Sequence, residues 1–106
     1  MLLQGGGIVL VDIKEGDNRF YIGESDKDPL AEIVFSYKKS DIMVIERTFV
    51  SEELRGQSIA AKLLEKAVLK ARTEGSKIIP ECSYAEKVMN RGEQYKDVLF
   101  KDNGQN

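Results

Sequence analysis

The sequence predicts a mixed α/β domain of the α+β kind: an antiparallel β-meander, one long amphipathic helix, a fifth strand and short C-terminal helices. Three observations predict it. Four β-rich stretches separated by turn formers fill the first half of the chain, a four-residue apolar period takes over at Ser58, and a short β-branched run containing a proline follows. At 106 residues the chain can build one hydrophobic core, so every functional group belongs to a single domain. We expect that domain over residues 8–100, between a glycine-rich lead at 1–7 with nothing to pack and a polar tail at 101–106.

Ile8 to Lys14 is β-branched, and the turn formers Glu15-Gly16-Asp17-Asn18 send the chain back into Arg19 to Gly23, a first hairpin. After the polar Ser25 to Pro29, the segment Leu30 to Tyr37 has strand composition, and Lys39-Ser40-Asp41 turns it into a fourth strand from Ile42 to Val50. From Ser58 the apolar residues Ile59, Leu63, Ala67 and Ala71 recur at steps of four, with Ala60, Leu64 and Val68 beside them. The helix is expected to run from Ser58 to Glu74, with Lys70 and Arg72 complementing its dipole and Gly75 as its stop. Lys77 to Cys82 reads as a short strand in which Pro80 marks an edge, a bulge or the strand's end. Ser83-x-x-Glu86 has the pattern of a capping box opening a second helix, and Tyr95 to Phe100 makes one more turn or short helix.

Composition excludes several chemistries. A formal charge of -2 and a pI near 5.2 provide no basic field for nonspecific nucleic-acid binding. No apolar run is long enough to span a bilayer, and Gly5-Gly6-Gly7 ahead of Ile8 lacks the basic flank of a signal peptide, so a cytoplasmic protein without membrane or nucleic-acid partners is expected. One cysteine and no histidine leave no disulfide, no zinc cluster and no Ser-His or Cys-His pair.

The junction Ser51 to Ser58 carries the most information. A helix start presents unpaired amides and the positive end of the dipole, which suits a pyrophosphate. Gly56 lets the main chain approach a ligand closely, Ser58 and Ala60 are small, and Arg55 can add charge-assisted bonds. An ordinary strand-to-helix turn with a solvated Arg55 is the competing reading of the short motif.

In this context the chain resembles the GNAT acetyltransferase superfamily, whose coenzyme signature is Arg or Gln, two residues, Gly, one residue, Gly or Ala. Arg55, Ser58 and Ala60 stand at those positions, with serine in place of the central glycine. The chain is closer still to minimal single-domain GNAT-like acetyltransferases. That likeness runs from Asn18 to Leu99 and rests on Asn18-Arg19-Phe20, Thr48-Phe49-Val50, Glu53 to Gln57, Lys77 to Pro80, Cys82-Ser83-Tyr84 and Tyr95 to Val98. Family members commonly place histidine before the threonine of the fourth strand. Arg47 stands there instead, so no mechanism through that histidine operates.

The resemblance implies an acetyl-coenzyme A (acetyl-CoA) site and direct acetyl transfer to an amine, either a small molecule or a protein lysine, without metal. The fourth strand would splay from the fifth, main-chain atoms of Thr48, Phe49 and Val50 would pair with the pantetheine arm, and the amides of Arg55, Gly56, Gln57, Ser58, Ile59, Ala60 and Ala61 would hold the phosphates. An acyl-CoA binding module with little transferase activity is the alternative. Two catalytic candidates follow. Glu46 lies two residues before Thr48, on the same face if the strand is regular, and could act as general base or simply be a solvated carboxylate. Cys82 precedes a capped helix, where its thiol could feel the dipole and face or accept the acyl group, or could pack as a small hydrophobe. Tyr84 is read as packing, with donation to a leaving thiolate as its other role.

Overall fold

The apolar period beginning at Ser58 closes into a helix on which the rest of the chain packs. In the computed structural model, which describes residues 12–101, helix α1 spans Ile59–Glu74 and buries Ile59, Leu63, Leu64, Ala67, Val68 and Ala71. Burying each large aliphatic is worth roughly 1.5–3 kcal/mol, well above the few tenths separating most helix propensities. Packing therefore holds the helix. Gly75 ends it in the left-handed region at φ 77°, its amide donating to the carbonyls of Ala71 and Arg72.

Five strands form one sheet in chain order: β1 (Lys14–Gly16), β2 (Arg19–Ile22), β3 (Ala31–Lys39), β4 (Ile42–Val50) and β5 (Lys77–Pro80). The first three pairings are antiparallel, and β5 runs parallel to β4 because α1 carries the chain back between them. The first hairpin is tighter than expected. Gly16 pairs with Arg19 across a two-residue turn, and Asn18 adopts φ 55°, a conformation asparagine tolerates. Glu15 and Gly16 thus belong to the strand rather than the turn. Asp12 and Ile13 carry no strand, and the expected strand residues 8–11, the lead at 1–7 and the tail at 102–106 lie outside the described residues.

Phe20, Ile22, Ala31, Ile33, Phe35, Met43 and Ile45 form the sheet's contribution to the core under α1. The β3–β4 ladder departs from regular alternation at one informative place. Val34 pairs with Arg47 but Phe35 pairs with Ile45, so Glu46 is an extra residue on β4. Such a bulge shifts the alternation and turns two successive side chains to one face.

Helix α2 covers Ser83–Met89, but its cap is not the one expected. Cys82 is the N-cap, its Sγ accepting from the Ala85 amide at 3.3 Å, and Ser83 is the first helical residue. The turn expected at Tyr95 is present, with the Val98 and Leu99 amides donating to the Tyr95 carbonyl. Beyond it the chain joins the sheet: Leu99 bridges Ile78 in parallel, and the Phe100 amide donates to the Ile78 carbonyl at 2.8 Å. Arg72 holds this segment with a two-pronged bond to Asp97, 2.9 Å on each side.

Candidate functional site

β4 and β5 part company halfway along. Their pairing covers only Ile42 to Ile45 opposite Lys77 to Pro80. Pro80 has no amide to continue a ladder, and the amides of Glu81 and Cys82 both donate to the Ile45 carbonyl, at 2.9 and 3.2 Å, as the chain turns away. Among the described residues, Glu46 to Val50 are left with an open edge.

The groups that face that edge follow from the ladder on the other side. The Ser51 amide donates to the Leu30 carbonyl at 2.8 Å, continuing the β3–β4 register. In an antiparallel pair successive residues alternate in the direction of their backbone groups, so Phe49 directs its amide and carbonyl to β3 while Thr48 and Val50 direct theirs to the opening. Of the three residues expected to offer main-chain groups, Thr48 and Val50 are the two whose groups face the open edge.

A 3-10 turn at Glu52–Leu54 brings the chain from β4 to the start of α1. No side chain caps α1, and none of the amides from Gly56 to Ala61 has a hydrogen-bond partner among the described residues. Ser58 sits at φ 60°, ψ 30°, the left-handed region. A side chain there is disfavoured by about 1–2 kcal/mol, a physical reason for glycine at this place in the signature. Gly56 also has positive φ, 84°, with nothing within 4 Å of where a Cβ would stand.

Gly56 and the residues from Ser58 to Ala61 line a groove of about 350 Å³ together with Val50, Leu54 and Tyr84. Arg55 lies along it, its Nε donating to the Val50 carbonyl at 3.2 Å. Gln57 does not line the groove, and its Oε1 is buried without a partner among the described residues. Burial pushes the Tyr84 hydroxyl pKa up, which keeps it protonated.

The two catalytic candidates lie on different sides of the opening. Cys82 is half-buried, with Sγ 4.0 Å from Thr48 Oγ1. Glu46 is exposed and accepts from Ser36 Oγ at 2.5 Å, which places it on the outer face, away from α1. The bulge therefore separates Glu46 from Thr48, which regular alternation would have put together. Arg47 shares the outer face and pairs with Glu32 at 2.7 Å; Arg19 holds the other oxygen of the same carboxylate at 2.8 Å. Glu32, 3% exposed, was not singled out in the sequence. Its only signal there is a lone charge between apolar residues of a strand.

Among the described residues no group of His, Cys, Asp and Glu could hold a metal ion, and no helix is long and apolar enough to cross a membrane.

Solved structures share this fold. A GCN5-like protein from Staphylococcus aureus is 38% identical over 87% of this chain and 90% of its own, with a TM-score of 0.73. Two more distant proteins share the fold: a GNAT family acetyltransferase from Elizabethkingia anophelis with acetyl-CoA bound (17% identity, TM-score 0.52, 69% of this chain and 50% of that one) and an aminoglycoside N-acetyltransferase in complex with CoA (16%, 0.50, 82% and 77%). No curated protein matches the chain. The family model for GCN5-related N-acetyl-transferases matches residues 19–98, from the start of β2 to the C-terminal turn. With the opened strand pair and the uncapped helix start inside that span, the chain belongs to the GCN5-related N-acetyltransferase family.

Proposed function

We propose that the chain transfers the acetyl group of acetyl-CoA to an amine, a small molecule or an exposed lysine. The observation that carries this reading is the run of amides from Gly56 to Ala61 without partners among the described residues, in a loop that borders a groove beside the open edge of β4. The residues fit the coenzyme. Amides at a helix start suit a diphosphate, Gly56 leaves the backbone uncovered, and Thr48 and Val50 offer strand groups to an amide-containing arm.

When bound, the coenzyme supplies an acyl group activated as a thioester. The protein's part is orientation and proton transfer. Gly56 to Ala61 hold the negative charge, and Arg55 adds charge-assisted bonds from beside Val50. Thr48 and Cys82 wall the place where the acyl end would lie. Glu46, across the opening, accepts the proton of the acceptor amine directly or through water, with Ser36 fixing its carboxylate.

A coenzyme-binding module with little transfer is the second reading. It is favoured by the lack of any histidine and by the exposure of Glu46. Calorimetry with acetyl-CoA, followed by an acetyl-transfer assay over a broad amine panel, separates the two. Binding with turnover supports transfer, binding without turnover supports the module, and absence of binding at high protein concentration rejects both.

A further inference from the structure

We propose that Arg47 on the outer face of the sheet selects the acceptor, and that the acceptor is an α-amino acid with an apolar side chain. Its carboxylate pairs with Arg47 while its amine enters the opening between β4 and β5. This inference rests on the acetyl-transfer reading above.

Access comes first. The uncapped amides belong to α1, which packs on the core face, so a diphosphate held there occupies that side of the opening. The acceptor amine must then approach from the outer face. That face presents Glu46 and Arg47 next to one another, because the bulge turns both side chains the same way.

Charge comes second. Two guanidiniums share the single buried carboxylate of Glu32, and Glu46 is the neighbouring carboxylate on the same face. Arg19 is held within the protein from Nε and one terminal nitrogen, by Glu32 and the carbonyls of Asp17 and Asp26, and its side chain is 28% exposed. Arg47 has Glu32 as its one partner among the described residues and is 61% exposed. Glu32 thus pairs with one terminal nitrogen of Arg47, and the exposed guanidinium keeps further donors for a carboxylate.

Shape comes third. Phe49, two residues along the same strand face, is 40% exposed, and nearby Leu30 is 37% exposed. An apolar side chain would lie there. A bare amine would use Glu46 and leave Arg47 idle, and a bare acid would be repelled by Glu46; an amino acid satisfies both.

The test uses two product-like probes that differ only in the carboxylate, N-acetyl-L-phenylalanine and N-acetylphenethylamine, titrated into isotope-labelled protein with amide and arginine side-chain resonances observed. The acid is expected to bind about tenfold more tightly than the neutral probe, the scale of a charge-assisted pair, and to move Val34, Arg47 and Phe49. Arg47→Gln should abolish the difference, and Arg47→Lys should retain part of it with an unchanged fold. Equal affinities, shifts confined to other surfaces, discrimination that survives Arg47→Gln, or no response to either probe at millimolar concentration would overturn the assignment. Failure of the coenzyme reading is seen separately, as unmoved Gly56 to Ala61 resonances on adding CoA.

Discussion

Arg55 and Val50 meet across the mouth of the groove, the Nε of one donating to the carbonyl of the other at 3.2 Å. The bond uses one edge of the guanidinium and leaves its terminal nitrogens for an anion. It also joins the strand that would carry the pantetheine arm to the loop that would hold the phosphates. Arg55→Ala should therefore weaken acetyl-CoA binding by roughly 10- to 100-fold, the worth of one or two bonds to a charged group. The loss should shrink at high salt while the melting temperature barely moves. Calorimetry at two salt concentrations measures both.

Ser58 offers a test in the opposite direction. Its φ of 60° is disfavoured for a side chain and free for glycine. Ser58→Gly should raise stability by about 0.5–1 kcal/mol, because relief at the helix start exceeds the entropy glycine adds to the unfolded chain. Ser58→Val should lower stability by more than ~1 kcal/mol, since a β-branched residue tolerates this conformation least. Urea titrations of the two variants check the sign and the order.

For the chemistry, Glu46→Gln removes the carboxylate but keeps the shape and the contact with Ser36. Activity should fall by about 100-fold or more in kcat, with coenzyme affinity intact. Cys82→Ala should leave most of the activity, with no acyl-enzyme detected by mass spectrometry in either protein. A trapped acyl-cysteine in the unmodified chain would transfer the leading role to Cys82.

Far from the groove, Tyr37 Oη donates to Glu74 Oε1 at 2.7 Å, and Lys70 bridges Glu74 and Glu15 at 3.0 and 2.9 Å. Burial first, and then the bond to Glu74, pushes the Tyr37 hydroxyl from 10.0 up to about 12. The folded state thus holds this proton more tightly than the unfolded chain does. Its contribution is complete below about pH 10 and is lost as pH rises towards 12. The bond to Tyr37, offset in part by burial, lowers the pKa of Glu74, a contribution present at neutral pH and lost on acidification below about 4.5. Melting temperatures across the alkaline range should fall more steeply for the unmodified chain than for Tyr37→Phe.

Much of this architecture was legible from residue pattern. The four-residue period fixed α1 to within one residue of its start, because six buried side chains lie on one face. β4 was read with its observed bounds, whereas β5, read as far as Cys82, ends at Pro80, one of the three roles left open for that proline. What escaped depended on the third dimension. The Glu46 bulge is set by how β3 and β4 register, and a pair of charged residues in a strand does not announce it. The Ser83-x-x-Glu86 pattern misplaced the cap by one position, since cysteine is not among the usual capping residues while serine is. The triad of Arg19, Glu32 and Arg47 joins three strands and leaves no spacing to recognise. The loop proposed to hold the coenzyme was the easier one to single out, because its motif is contiguous in the sequence. Why it favours glycine at the position of Ser58 became clear only from the left-handed backbone there.

The most direct test follows the amide resonances of labelled protein during titration with acetyl-CoA. The amides of Gly56 to Ala61 should shift together with those of Thr48 and Val50, saturating with a single affinity, while Tyr37 and Glu74 at the far end stay still. A titration that leaves Gly56 to Ala61 unmoved, or that moves residues elsewhere first, would contradict the account.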